Sequence, residues 1–156
     1  MKNRIDKAFL LAIFVFLLDI STKHWAFSTI NPSRPRSVFL GVQIDVTRND
    51  GIAFSLLSGR TWLIFVLMTL AVGLLLWFYV RHHQRPGLWI ATGLMLGGAL
   101  GNFYDRVTLG YVRDFISLGW FPTFNLADVA LTLGVLMLVF TIDQSGEEEG
   151  HSDAEV

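Results

Sequence analysis

Four aspartates in or beside apolar stretches of the chain carry side chains that could cleave an amide bond. They are Asp19, Asp105, Asp114 and Asp128. Two carboxylates that share one proton can hydrolyse a peptide without a metal or a nucleophilic side chain. The ionised carboxylate takes a proton from water, and the protonated one polarises the scissile carbonyl. The four aspartates are therefore candidates for such a pair.

Basic neighbours distinguish two of these aspartates from the other two. Asp19 has Lys23 four residues later, one helical turn away, and Asp105 is followed directly by Arg106. Both carboxylates are therefore expected to have structural or substrate-orienting roles.

Asp114 and Asp128 have no basic residue at helical spacing. Arg113 is adjacent to Asp114, but in a strand it would point to the opposite side. This pattern favours Asp114 and Asp128 as the catalytic pair. On the residues alone an alternative stays open, in which each aspartate caps an element, and Asp128 in particular caps a helix.

Other catalytic chemistries lack their residues. The chain has no cysteine, which excludes thiolate zinc sites, disulfides and a cysteine nucleophile. No G-x-S-x-G, H-E-x-x-H, Walker or dinucleotide-binding pattern occurs. The pair His82-His83 has no further ligand at metal-binding spacing and predicts a solvated turn. We therefore expect no metal and no cofactor, and the balance of 12 Lys+Arg against 13 Asp+Glu predicts no nucleic-acid partner.

The elements that position these residues are predicted to be membrane helices. Hydrophobic residues make up 53% of the 156 residues and charged residues 16%, and four apolar stretches have the length of about 20 residues needed to cross a bilayer. They lie at about 8–27, 62–80, 88–107 and 125–142. A cleavable signal peptide is the alternative for the first stretch, but no small-x-small cleavage site follows it. The prediction is one domain over 1–142, mainly α, and a disordered acidic tail over 143–156.

Four crossings bring the charged residues within the spans to one face, because the chain reverses at each crossing. These residues are Asp19, Lys23, Asp105, Arg106 and Asp128. Ionisable residues inside spans are expensive and usually functional, so their convergence indicates a site. A small transporter, or a scaffold in which the charges only form structural pairs, remains as an alternative. Gly93, Gly97 and Gly101 add a small-residue stripe that allows another helix to approach closely.

The two segments opposite the termini, about 28–61 and 108–124, are predicted to cover this face. Alternation from Val38 to Thr47 predicts a strand, and Tyr111 to Ile116 predicts a second one. Ile52 to Leu57 is a candidate for a short amphipathic helix in the interface. A solvated loop is the alternative to this small sheet and helix.

Five sequence blocks resemble those of the lipoprotein signal peptidases (signal peptidase II), in the family's order and in the expected relation to four spans. The blocks are Asp19-Ile-Ser-Thr-Lys23, Asn49-Asp-Gly-Ile-Ala-Phe54, Gly97-Gly-Ala-Leu-Gly-Asn-Phe-Tyr-Asp-Arg106, Tyr111-Val-Arg-Asp-Phe115 and Phe124-Asn-Leu-Ala-Asp128. One block alone would be weak, but five in order are highly specific. Together they cover the chain from about residue 8 to 142.

The resemblance implies an aspartic endopeptidase of the bacterial inner membrane that removes signal peptides from prolipoproteins. It implies cleavage just before a cysteine that carries a diacylglyceryl group, with both termini cytoplasmic and the sheet, short helix and site at the periplasmic face. Asp114 and Asp128 match the catalytic pair. The positions that would bind substrate or support the site are Asn102, Arg106, Asn125, Asn49, Gly51, Asp19 and Lys23. The expected partners are the lipidated substrates and membrane lipid, and we expect a monomer.

Overall fold

A computed structural model describes residues 2–39, 41–51 and 60–152 of the chain. The helices in this part are α1 (Lys2–Thr29), α2 (Thr61–His82), α3 (Leu88–Leu109) and α4 (Leu126–Ser152), and the strands are β1 (Arg36–Phe39), β2 (Val42–Asn49) and β3 (Val112–Ser117). This confirms a mainly helical protein with a small sheet. Each predicted apolar stretch lies in one of the four helices.

Helix α3 packs between α1 and α4, and its glycines explain how closely it does so. A Cβ on Gly97 would stand 2.7 Å from the Ala12 carbonyl oxygen of α1, and a Cβ on Gly98 would stand 2.5 Å from the Ala127 oxygen of α4. No side chain fits at either position without a shift of the neighbouring backbone. The predicted close helix contact at the glycine stripe is confirmed, and it also brings Asp19 of α1 directly against Gly101.

The sheet is antiparallel, in the order β1-β2-β3. The prediction of one strand from Val38 to Thr47 is wrong, because the chain turns at Gly41 and forms two strands there. Gly41 has φ +82°, a left-handed conformation that glycine adopts without strain. The alternation continues with the same phase on both sides of this turn, so the sequence pattern did not show it. The second predicted strand is confirmed as β3.

Two predictions concern the loop and the tail. The short amphipathic helix at Ile52–Leu57 lies outside the described residues. Helix α4 continues to Ser152, whereas disorder was predicted from residue 143 onward; residues 153–156 are not described. Glutamine and glutamate favour helix, and extending an existing helix avoids the unfavourable nucleation step.

Two described helical segments, Thr61–His82 and Leu126–Asp143, are long and apolar enough to cross a membrane by length and composition. Large apolar side chains are exposed along α2, among them Leu70, Leu74 and Val80. Such exposure is unusual for a protein surrounded by water, and it suits lipid.

Candidate active site

Asp114 lies in β3 and Asp128 lies in the first turn of α4, and the chain between them folds back on itself. Ile116 and Phe124 exchange two backbone hydrogen bonds, from Ile116 N to Phe124 O (2.8 Å) and from Phe124 N to Ile116 O (3.0 Å). This bridge returns the chain along β3, so α4 begins beside Asp114. The two predicted catalytic aspartates are therefore brought to one place.

Asn125 joins the two aspartates directly. Its side-chain Nδ2 donates to Asp114 Oδ1 at 2.6 Å, and its backbone N–H donates to Asp128 Oδ2 at 3.1 Å. Asp128 N donates in return to Asn125 Oδ1 at 3.0 Å. This reciprocal pair has the geometry of a capping box at the start of α4. The capping role considered for Asp128 is thus present, but it engages only one of the two carboxylate oxygens.

Two further asparagines complete the donors around the pair. Asn49 Nδ2 donates to Asp114 Oδ2 at 2.9 Å, and Asn102 Nδ2 donates to Asp128 Oδ1 at 2.8 Å. Each carboxylate therefore accepts two N–H bonds, which hold its plane in a fixed orientation. The three asparagines come from β2, α3 and the start of α4, so the site forms only when these elements are assembled.

Lys23 stands behind this pair, inside the helix bundle. Its ammonium lies 2.7 Å from Asp19 Oδ2 and 3.4 Å from Asp105 Oδ2, and all three side chains have no exposed surface. Its Nζ also donates to Asn102 Oδ1 at 2.9 Å. Asp19 Oδ1 accepts the Ala127 N–H of α4 at 2.9 Å. The predicted pairing of Asp19 with Lys23 is confirmed, and the pair links α1, α3 and α4.

Arg106 binds Gly51, which follows β2. Its Nη2 donates to the Gly51 carbonyl at 2.6 Å, and its Nη1 donates to the Asn102 carbonyl at 3.3 Å. Gly51 N in turn donates to Asn49 Oδ1 at 3.0 Å. This contact orients the Asn49 amide so that its Nδ2 faces Asp114. Arg106 and Gly51 are therefore connected to the aspartate pair through Asn102 and Asn49.

Arg113 is a buried residue of this region, and the sequence did not predict its pairing with Asp105. The main partner of Asp105 was expected to be the adjacent Arg106, but its carboxylate binds Arg113, with Nη2 to Oδ1 at 2.7 Å. The strand alternation that turned Arg113 away from Asp114 is the signal that could have indicated this pair.

Burial raises the pKa of Asp114 from 3.8 to about 6, although hydrogen bonds from Asn49 and Asn125 lower it. The nearby charge of Asp128 raises the pKa further. Asp114 has 1% of its surface exposed, whereas Asp128 is partly exposed. Asp114 is thus the carboxyl group that retains a proton toward neutral pH. Within residues 2–39, 41–51 and 60–152, no three His, Asp or Glu side chains converge as metal ligands do.

Two carboxylates joined through amides, one of them with a raised pKa, form the kind of site that an aspartic peptidase uses. The family model described as signal peptidase (SPase) II matches residues 11–143. The chain belongs to this family and is an aspartic peptidase. The resemblance of the five sequence blocks is thereby confirmed.

Curated relatives named lipoprotein signal peptidase match this chain over most of their length. The lipoprotein signal peptidase of Syntrophomonas wolfei is 38% identical over 138 residues, which cover 88% of this chain and 93% of the relative. The lipoprotein signal peptidase of Shouchella clausii is 38% identical over 158 residues, which cover 93% of this chain and 98% of the relative.

Two solved structures share the fold, and both are described as bacterial membrane enzymes studied by the in meso method. The first, at 2.3 Å resolution, has a TM-score of 0.84 and 32% identity, with 90% of each chain covered. The second, at 1.9 Å resolution, has a TM-score of 0.78 and 33% identity over 86% of this chain and 91% of that one. The fold of this chain is therefore that of a membrane enzyme.

Proposed function

We propose that Asp114 and Asp128 are the catalytic pair with which this signal peptidase II cleaves prolipoproteins just before a diacylglyceryl-modified cysteine. The observation that carries the proposal is Asn125, whose side chain binds Asp114 and whose backbone binds Asp128. Two aspartates from different elements are held by one residue. Capping of α4 alone would require Asp128 but not Asp114.

The two aspartates have different roles in this proposal. Asp114, which is buried and has a raised pKa, is the neutral acid whose proton polarises the scissile carbonyl. Asp128, which is partly exposed and holds two N–H donors, is the base that takes a proton from the attacking water. The water oxygen bonds to the carbonyl carbon while the Asp114 proton moves to the carbonyl oxygen. The C–N bond then breaks as the proton on Asp128 passes to the leaving nitrogen, and the gem-diol proton returns to Asp114.

The proposal places four spans in the bacterial inner membrane, with both termini in the cytoplasm and the site at the periplasmic face. Three charged residues inside the proposed first and third spans support the crossing of the membrane by α1 and α3, because Asp19, Lys23 and Asp105 have no exposed surface and so do not meet lipid. On α1, Phe9, Phe14 and others expose apolar side chains instead. A monomer suffices, since the site is built from one chain.

The same arrangement provides a place for the lipid part of the substrate. A cleft of about 220 Å³ opens between α2 and α3, and Met68, Val72 and Phe103 are among its lining residues. Met68 also contacts the Arg106 guanidinium, at 3.9 Å from Sδ to Nη1. An acyl chain in this cleft would therefore end close to the site, where Arg106 and the asparagines provide donors for ester or peptide carbonyls.

The test is cleavage of a purified diacylglyceryl-modified prolipoprotein by wild type, Asp114→Asn and Asp128→Asn in detergent. We expect wild type to cut before the lipidated cysteine and both variants to be inactive although folded. Asp45→Asn makes the same substitution in β2, at a residue outside the hydrogen bonds that hold the pair, and should cut like wild type. Full activity in either variant would refute the pair, and equal cleavage of the non-lipidated precursor would refute recognition of the lipid.

A further inference from the structure

Arg113 is a buried arginine next to Asp114 that the proposed reaction does not use. It is 9% exposed. Successive side chains of a strand point to opposite faces, so Arg113 points away from the catalytic pair and toward α3. A buried positive charge therefore lies one residue from Asp114, the proposed acid.

Arg113 is fixed to Asp105 of α3 by its side chain and by its backbone. Nη2 and Nε donate to Asp105 Oδ1 at 2.7 and 3.1 Å, and the backbone N–H donates to Asp105 Oδ2 at 3.0 Å. The Asp105 carboxylate therefore binds the backbone one residue before Asp114. Asp105 is fully buried near the end of α3. This contact therefore fixes the position of β3 relative to α3.

Arg48 shows that the sheet itself does not require this arrangement. It stands opposite Arg113 in the register of β2 and β3, yet it is exposed and lies over the Tyr111 ring at 4.9 Å. Two arginines at paired positions of adjacent strands thus have different surroundings. Asp105 accounts for this difference, because it lies beside β3 and binds Arg113 but not Arg48.

Arg113 also affects Lys23, because both cations balance the negative charge of Asp105. Lys23 lies closer to Asp19 (2.7 Å) than to Asp105 (3.4 Å), and it donates to Asn102 Oδ1 at 2.9 Å. Without the arginine, Asp105 would have one cation to balance it and would attract the ammonium away from Asn102. The Asn102 amide binds Asp128, so this shift would reach the second aspartate.

We propose that Arg113 is a positioning residue for the catalytic pair. By holding Asp105 it fixes the backbone at Asp114, and it leaves Lys23 in place to orient Asn102 toward Asp128. This inference rests on the proposed function of Asp114 and Asp128, and it adds a residue that touches neither the substrate nor the reacting atoms.

The test compares Arg113→Met, Arg113→Lys and the matched control Arg48→Met in cleavage of the lipidated prolipoprotein. A misplacement of about 1 Å can reduce rates on the order of 100-fold. We therefore expect kcat of Arg113→Met to fall roughly 10- to 100-fold with KM within about twofold of wild type, because substrate binding is not touched. Arg113→Lys keeps the charge without the planar fork, and its kcat should fall less. Arg48→Met should keep the wild-type kcat.

Hydrogen–deuterium exchange of residues 112–117 gives a readout that does not depend on cleavage. We expect faster exchange in both Arg113 variants and no change in Arg48→Met. Wild-type kcat in folded Arg113→Met together with wild-type exchange would overturn the proposal, and so would a raised KM at unchanged kcat, which indicates substrate contact. If Arg113→Met does not fold, Arg113→Lys decides by the same two readouts. If wild type cuts no prolipoprotein, the proposed function fails, and the exchange result alone decides whether Arg113 positions β3.

Discussion

The raised pKa of Asp114 predicts that the protein loses stability as the pH rises from acid to neutral. The carboxyl group has a pKa of 3.8 in a solvated chain and about 6 when folded, mainly because it is buried. The folded state therefore binds the proton more tightly than the unfolded state does. This contribution to stability is fully present below the unfolded pKa and is lost as the pH rises through the folded pKa.

The size of the effect follows from the two pKa values. One pKa unit corresponds to about 1.4 kcal/mol, so the difference between 3.8 and about 6 amounts to ~3 kcal/mol over the whole range. Between pH 8 and pH 5 the free energy of unfolding increases only over the pH unit from 6 to 5, by about 1.4 kcal/mol. For a chain of this length, 1 kcal/mol moves the melting temperature by roughly 2–4 °C. Wild type should therefore gain roughly 3–6 °C at pH 5 from this residue.

Asp114→Asn removes the titration and leaves most of the contacts. Its NH₂ group must face a donor, either Asn49 or Asn125, because both donate to Asp114 in wild type. That conflict destabilises the variant by about 1–3 kcal/mol, but equally at every pH. The melting temperature of wild type relative to the variant should therefore rise as the pH falls.

The assay is thermal unfolding in detergent between pH 5 and pH 8, followed by tryptophan fluorescence. Effects of pH that wild type and Asp114→Asn share cancel in their difference, so only that difference reports Asp114. Asp45→Asn, which removes a carboxylate from β2, should follow the wild-type curve. Parallel curves for wild type and Asp114→Asn would show that the Asp114 pKa is not raised, and the assignment of Asp114 as the neutral acid would fall with it.

Four further outcomes are expected. The value of kcat/KM should fall as the pH rises above about 6, roughly tenfold per unit, because Asp114 loses the proton that polarises the carbonyl; a flat profile from pH 5 to 8 would contradict this. Lys23→Met should destabilise the protein by about 3–5 kcal/mol, since it leaves two buried carboxylates without their shared cation, and a melting temperature near wild type would count against this. Gly98→Ala should destabilise by about 1–3 kcal/mol, because its Cβ would meet the Ala127 oxygen at 2.5 Å. Gly73→Ala, whose Cβ meets nothing within 4 Å, should stabilise α2 by about 0.5–1 kcal/mol, and equal effects of the two alanines would refute the packing argument.

The sequence predicted the local pairing of Asp19 with Lys23 and missed the pairing of Asp105 with Arg113, which depends on a turn. Asp19 and Lys23 are one helical turn apart, so their pairing follows from helix geometry. Asp105 and Arg113 are separated by Gly110, where φ is +83° and α3 ends. The direction in which the chain leaves this glycine decides which basic residue faces Asp105. Sequence spacing does not contain that direction.

The asparagines illustrate a second limit of the sequence. Their positions in the family blocks indicated that they support the site, but an amide has a donor end and an acceptor end that a sequence does not distinguish. In the structure, Asn102 Oδ1 accepts from Lys23 and from Asn125 Nδ2 at 3.1 Å. Its Nδ2 must therefore point at Asp128. The assignment of roles came from this network and not from residue type.

The same network explains why buried charges persist so close to the site. Lys23, Asp19 and Asp105 have no exposed surface, and replacing buried ion pairs with apolar side chains often leaves stability unchanged or improves it. Stability alone is therefore a weak reason for their presence. Asn125 Nδ2 donates to Asn102 Oδ1 at 3.1 Å, and an apolar side chain at position 23 would provide no second donor to that oxygen. A lysine has only donors, so Lys23 Nζ can donate only to the oxygen end of Asn102. Together with Asn125 Nδ2 it fixes the Asn102 amide with its nitrogen as the donor to Asp128.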